Sequence, residues 1–196
     1  MKIGVLGGTF DPPHFGHLAL ARAAIEALEL DEVLFVPTNR NPLKLGVKTT
    51  SGRHRLGMLQ ALIAEGAKMG VCDVEVIRGG FSYAVETLTE LTVAQPGDYW
   101  FLVGADAASH IDEWKQPRRL LRLCRLGVVV RPPVDEPTLL RRIPDSFHDR
   151  IDMIPMTTLD ISATDIRDRI HGGLPTARLL PESVYAYIKE NHLYNA

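Results

Sequence analysis

Apolar and polar positions along the chain switch repeatedly between a strand period and a helix period. Residues 2–6 form a short apolar run ending in Gly7-Gly8, and residues 18–28 repeat Leu and Ala at helical spacing. A strand, a glycine turn and a helix are therefore predicted in that order. A second apolar run over 33–36, closed by Pro37, completes a βαβ unit. The alternation continues with a helix over about 55–64, a strand over 73–77, a helix over 82–93 and a strand over 99–103. The strand at 73–77 is read from the alternating Asp73-Val74-Glu75-Val76-Ile77. A helix over 118–125, a strand over 126–130, a short strand over 151–154 and helices beginning at Ser162 and Pro181 follow. Strands separated by helices predict an α/β fold with a doubly wound, mostly parallel sheet. Residues 38–52 and 131–150 fit no element. Loops of that length usually cover a site or are mobile, and both begin where an open α/β sheet binds its ligands, beyond the carboxyl ends of the strands.

Composition narrows the chemistry. The 196 residues suit one domain, and 45% apolar with 23% charged residues is the balance of a globular core rather than of disorder. A formal charge of −2 gives no global attraction to nucleic acid or to an anionic membrane, so neither is expected as a partner and any anion must be bound locally. No stretch approaches the roughly 18 apolar residues of a membrane span, and residues 1–30 lack the features of a signal peptide, so a cytoplasmic location is expected. Cys72 and Cys124 read as buried, reduced thiols. Lys115, Arg118, Arg119, Arg122 and Arg125 form the one obvious basic run, with Arg118, Arg122 and Arg125 on one helix face. It reads as a solvated face opposite Leu120, Leu121 and Leu123.

Two segments carry candidate chemistry. The first, Gly7-Gly8-Thr9-Phe10-Asp11-Pro12-Pro13-His14-Phe15-Gly16-His17, lies between the first strand and the first helix. Glycines let backbone approach a ligand, N–H groups at a helix start attract anions, and histidines three apart share one side of the first turn. Gly4, Gly7 and Gly8 fit neither the Walker spacing nor the dinucleotide fingerprint. A tight turn with two solvated histidines is the bland alternative, and a metal pair at His14 and His17 is another, although spacing places no third ligand beside them. No resident metal is expected. The second segment is Ile161-Ser162-Ala163-Thr164-Asp165-Ile166-Arg167. Ser162 and Asp165 have the spacing of a capping box, so taken alone the segment is a well-capped helix. The same residues also supply amides, hydroxyls and a guanidinium suited to a polyphosphate.

The pair of motifs, H-x-G-H after a first strand and I-S-x-T-x-I-R near the other end, resembles the nucleotidyltransferase superfamily of adenylyl and cytidylyl transferases. The segments at 37–44 (P-T-N-R-N-P-L-K), 82–88 (S-Y-A-V-E-T-L) and 100–106 (W-F-L-V-G-A-D) make the chain most similar to the bacterial nicotinate mononucleotide adenylyltransferases, over nearly its whole length. The resemblance implies a single domain over 1–196 with a Rossmann-like nucleotidyltransferase fold, its helical part from about 160 completing the ATP site. It implies transfer of an adenylyl group from ATP to nicotinate mononucleotide, giving deamido-NAD and pyrophosphate, with Mg²⁺ carried in by ATP. Gly7, Gly8, Thr9, Phe10, His14, His17, Gly104, Asp106, Ile161, Ser162, Thr164 and Arg167 are the implied ATP residues, with His14, His17 and Arg167 catalytic. Asn39, Lys44, Tyr83, Thr87, Asp106 and Trp114 are the implied acceptor residues, with Trp114 stacking on the pyridine ring and Thr87 near its carboxylate. The chain departs from the family at Leu43, where His is usual, and at Ala84 and Glu86, where Thr and Asp are usual. These changes bear on the acceptor pocket, and nicotinamide mononucleotide or phosphopantetheine as acceptor, or a non-catalytic nucleotide sensor, are the rival readings. Residue by residue, Tyr83 and Trp114 also read as core aromatics, and Ser82 and Thr87 as a cap and a helix-surface hydroxyl. The assembly state stays open, a homodimer among the options.

Overall fold

The computed structural model describes residues 1–42, 46, 48–64, 66–130, 135–157 and 159–194. In chain order the elements are β1 (Lys2–Gly8), α1 (Phe15–Leu28), β2 (Glu32–Pro37), α2 (Gly52–Ile63), β3 (Met69–Val71), α3 (Val74–Arg78), α4 (Ala84–Ala94), β4 (Asp98–Gly104), α5 (Ala105–Ala108), α6 (Pro117–Leu123), β5 (Arg125–Val129), α7 (Glu136–Leu140), β6 (Ile151–Ile154), α8 (Ala163–His171) and α9 (Glu182–Glu190), with 3₁₀ turns at Ile111–Glu113 and Asp145–Arg150.

The strands form one six-stranded sheet in the order β3-β2-β1-β4-β5-β6, and every pairing is parallel. Parallel strands are covered on both faces, which is why residues 33–36 are buried without alternation. Val33 and Phe35 join Leu6 and Leu102 under α1, α2, α8 and α9, packed by Leu18, Ala21, Met58, Leu59, Ile166, Val184 and Ile188. Leu34 and Val36 point the other way, joining Ile3, Val5 and Phe101 under α4 and α6 through Val85, Leu88, Leu91, Leu120 and Leu121.

The strand order reverses between β1 and β4, and a sheet of this kind opens its ligand crevice at that reversal, outside the carboxyl ends of the strands. Val5 of β1 lies beside Phe101 of β4. Carrying that register forward sets Gly8 level with Gly104, so these two of the three nominated glycines border the crevice.

Several expectations are corrected. Residues 73–77 form helix α3 rather than a strand, and the strand of that βαβ unit is the three-residue β3 before it. The alternation there does not sort inside from outside: Glu75 is 4% exposed while Ile77 is 75% exposed. Arg125 does not close a helix. It opens β5, where its guanidinium grips Asp152 through Nε–Oδ2 at 2.5 Å and Nη2–Oδ1 at 2.9 Å, with the Trp100 indole donating to the same carboxylate. Residues 136–150, expected as loop, carry α7 and a 3₁₀ turn and bury Leu139, Ile143 and Phe147 in the core. Cys72 is only half-buried, whereas Cys124 is buried and its thiol is pushed up to about 12 by loss of solvent.

Candidate functional site

The turn after β1 is built backward onto itself. Phe10 adopts a left-handed backbone (φ 51°) and tucks its ring beneath the loop, 2% exposed, against Phe35 and edge-on to His17 at 4.8 Å. A Cβ at Gly8 would lie 3.0 Å from that ring, so the glycine makes room for the fold-back. The Phe10 side chain is therefore core, and any contact it makes with a nucleotide is through its backbone.

His14 precedes α1 in an extended conformation and His17 sits in the first turn, their ring centroids 3.8 Å apart. The His14 amide donates to His17 Nδ1 at 3.2 Å. A nitrogen that accepts carries no proton, so the neutral His17 ring holds its proton on Nε2 and presents it as a donor. Burial lowers the His14 pKa to about 4, and burial together with the neighbouring His14 lowers that of His17 well below the ordinary range. Both rings are neutral at pH 7. The Phe15 amide donates to the Leu179 carbonyl and the His17 amide to the His14 carbonyl, so the helix start offers fewer amides to an anion than its sequence suggests.

The second motif faces the first. Ser162 caps α8, its hydroxyl accepting from the Thr164 amide at 3.2 Å. Asp165 does not close the other half of the expected capping box, because it pairs with Arg169. Arg167 crosses to the first loop: Nη1 donates to the Asp11 carbonyl at 2.7 Å and Nη2 to the Thr164 hydroxyl at 3.2 Å. Two segments 156 residues apart are thereby joined in one wall. A cavity of about 380 Å³ opens beside it, lined by Phe15, Leu18, Ala19 and Arg22 of α1 and by Leu159, Asp160, Ile161, Arg178 and Leu179. Across the crevice Gly104 is exposed with open space where a Cβ would stand, and Asp106 occupies the exposed first turn of α5.

The side nominated for the acceptor is assembled from loops. The Asn39 amide donates to Ser82 Oγ at 2.8 Å and its side chain to the Gly80 carbonyl at 2.9 Å, fastening the end of β2 to the turn before α4. Tyr83 precedes α4, with Lys115 Nζ 4.1 Å from its ring centre. Trp114 packs edge-on to Phe101 at 5.7 Å and is partly exposed. Thr87 does not join them. It is fully buried, its hydroxyl donating to Glu75 at 2.5 Å and accepting from Arg78 at 3.1 Å, which places it beneath the wall of the site rather than on it. Of the departures noted above, Ala84 opens α4 and Glu86 accepts from Lys115 at 2.5 Å. Lys44 and Leu43 lie outside the described residues. Among the described residues no group of three or more His, Cys, Asp or Glu is placed to hold a metal ion.

Residues 5–169 match the cytidylyltransferase-like family. The chain belongs to that family. Among its relatives, the probable nicotinate-nucleotide adenylyltransferase of Herpetosiphon aurantiacus is 37% identical over 100% of this chain and 99% of its own. That of Roseiflexus sp. is 39% identical over 98% and 97%. In fold the chain is similar to the Plasmodium falciparum nicotinic acid mononucleotide adenylyltransferase complexed with NaAD, with a TM-score of 0.79 at 18% identity over 98% of this chain and 97% of that one.

Three residues that secure the first loop were given no role in the sequence reading. Arg55 is 2% exposed, donating through Nε to the Thr50 carbonyl at 2.8 Å and through Nη1 to the Thr9 carbonyl at 2.9 Å. The Asp11 carboxylate accepts from the Thr50 amide and from the Tyr194 hydroxyl. Arg55 had a signal: it shares the helical spacing of Met58, Leu59 and Leu62, an apolar face on which a lone arginine must find buried acceptors. Asp11 and Tyr194, 183 residues apart, had none.

Proposed function

We propose that the protein transfers the adenylyl group of ATP to nicotinate mononucleotide, yielding deamido-NAD and pyrophosphate for NAD biosynthesis. The observation that carries the reading is the wall formed by His14, His17, Ser162, Thr164 and Arg167, which gathers neutral N–H donors, hydroxyls and one guanidinium at the topological switch of a parallel sheet. That donor set suits a chain of phosphates.

The chemistry asks little of a base. A phosphate monoester, with its second pKa near 6, is largely dianionic at pH 7. Its oxygen attacks the α-phosphorus of ATP, a new P–O–P bridge forms, the bond to the β-phosphate oxygen breaks, and pyrophosphate leaves with the electron pair. The barrier lies in aligning anions and spreading the charge that shifts to the leaving group. His17 donates from Nε2, His14 from the neutral ring beside it, and Arg167 and the start of α8 stabilise the departing pyrophosphate. Mg²⁺ arrives as part of the substrate, Mg-ATP, held by phosphates and water. Gly7, Gly8, Thr9, Gly104, Asp106 and Ile161 border the nucleotide, and the cavity beside Ile161 offers apolar walls for its base. Asn39, Tyr83 and Trp114 form the acceptor side, to which the resemblance adds Lys44, while Thr87 supports that side from within.

The test is product identification after incubation with Mg-ATP and nicotinate mononucleotide. Deamido-NAD and pyrophosphate in equal amounts support the reading; ADP or AMP without a dinucleotide overturns it. Lys44→Ala raises the KM for the acceptor and leaves that for ATP; a change confined to ATP removes Lys44 from the acceptor side.

A further inference from the structure

Tyr194, beyond α9, reaches the loop that follows β1. Its hydroxyl donates to Asp11 Oδ1 at 2.5 Å and lies 3.6 Å from the Met58 sulfur. The segment is delivered there by packing: the Leu193 amide bonds the Ile188 carbonyl, and Leu193 and Tyr194 lie against the core cluster of α2 and α9. Asp11 is the meeting point of four segments. Besides Tyr194, its Oδ2 accepts from the Thr50 amide at 2.9 Å, and its backbone carbonyl accepts from Arg167 Nη1 at 2.7 Å. Arg55, itself buried, bonds the carbonyls of Thr50 and Thr9 and closes the ring of contacts behind the loop. Asp11 is 6% exposed, so no solvent is at hand to replace a lost donor.

We propose that Tyr194 is a positioning residue for the nucleotide: by holding the Asp11 carboxylate it fixes the orientation of residue 11, whose carbonyl in turn aims the Arg167 guanidinium. The carboxylate and the carbonyl share one Cα. Without the tyrosine donor, Oδ1 of this buried carboxylate is left unpaired, and the loop that carries the carbonyl beneath Arg167 loses one of the contacts that hold it in place. Through Asp11, the tail after α9 and the two motifs of the ATP site form a single support. The proposal rests on the adenylyl-transfer reading only in assigning Arg167 to ATP.

The test uses Tyr194→Phe, which keeps the ring and removes one O–H, Arg167→Ala, and the two combined. Mg-ATP binding is measured by calorimetry without acceptor, and pyrophosphate release with nicotinate mononucleotide is measured alongside. Tyr194→Phe weakens ATP binding by about tenfold, the scale of a lost bond to a charged group, and moves the acceptor KM by less than about twofold. Added to Arg167→Ala, it costs less than about another twofold, because its effect passes through that guanidinium. A merely structural tyrosine gives a different pattern: a lower melting temperature with unchanged ATP affinity, or effects that multiply independently in the double variant. Either overturns the proposal. Intact ATP binding in a native chain that releases no pyrophosphate defeats the acceptor assignment instead, and the calorimetric comparison still decides the role of Tyr194.

Discussion

Replacing His14 with Gln removes a titrating group without emptying its place, and the consequence follows from one number. The folded chain holds the His14 pKa at about 4, against 6.5 for the ordinary side chain. As pH falls, the unfolded chain takes up the proton first, so folding stability is lost from about pH 6.5 downward and levels off below pH 4. The full difference corresponds to about 3 kcal/mol, of which about 2 kcal/mol is spent between pH 7 and pH 5. His17, also lowered, adds to the loss in the same direction. Glu75, whose pKa is raised chiefly by burial, acts oppositely, which is why the comparison must be between variants rather than between pH values alone. Urea unfolding at pH 7 and pH 5 on the native chain and on His14→Gln reads this loss together with the relief of His17, whose pKa the neighbouring His14 also lowers. The variant loses about 2 kcal/mol less than the native chain over that interval. Equal losses would show that His14 is not held neutral by its surroundings. The same electrostatics predicts that Mg-ATP, by placing anionic oxygens beside the rings, draws protons onto them at pH 5 to 6, seen as a buffer-dependent heat of binding.

Other substitutions test separate parts of the structure. His17→Ala leaves the circular dichroism spectrum intact and lowers turnover by about two to three orders of magnitude; near-native turnover would remove His17 from catalysis. Thr87→Val takes away the buried donor to Glu75 at nearly constant volume and destabilises by about 2 kcal/mol in urea unfolding, with Thr87→Ser close to native; equal behaviour of the two would deny the hydrogen bond its role. Cys124, with its thiol at about 12, is inert to a thiol reagent at pH 8 until the chain unfolds, and rapid native modification would contradict its burial.

The parts of this architecture that were legible in the sequence are those written in local code. Residues 2–6, 33–36 and 99–103 are apolar runs long enough to declare buried parallel strands, and each is found where expected. The two candidate segments are compact enough to be read directly, and Ser162 caps its helix as its position implies. What was hidden depends on distant partners. β3 has only three residues, one of them glycine, and carries no periodicity. Glu75 looks like the polar half of a strand until Thr87 and Arg78 are seen to bury it. Thr87 was nominated for the ligand by the family resemblance, and its place in a helix suggested a surface hydroxyl, yet that hydroxyl belongs to the interior. Asp11 stood within the first motif without a role because its partners come from residues 50, 167 and 194.

The measurement that bears most directly on the central claim is pyrophosphate release from Mg-ATP by the purified protein with nicotinate mononucleotide, nicotinamide mononucleotide or phosphopantetheine supplied at equal concentration. The proposed reaction predicts turnover with nicotinate mononucleotide well above that with either alternative. Preference for another acceptor would leave the His14, His17 and Arg167 machinery standing and contradict the assignment of Asn39, Tyr83 and Trp114. ATP binding with no release for any acceptor would contradict the claim that this site is catalytic.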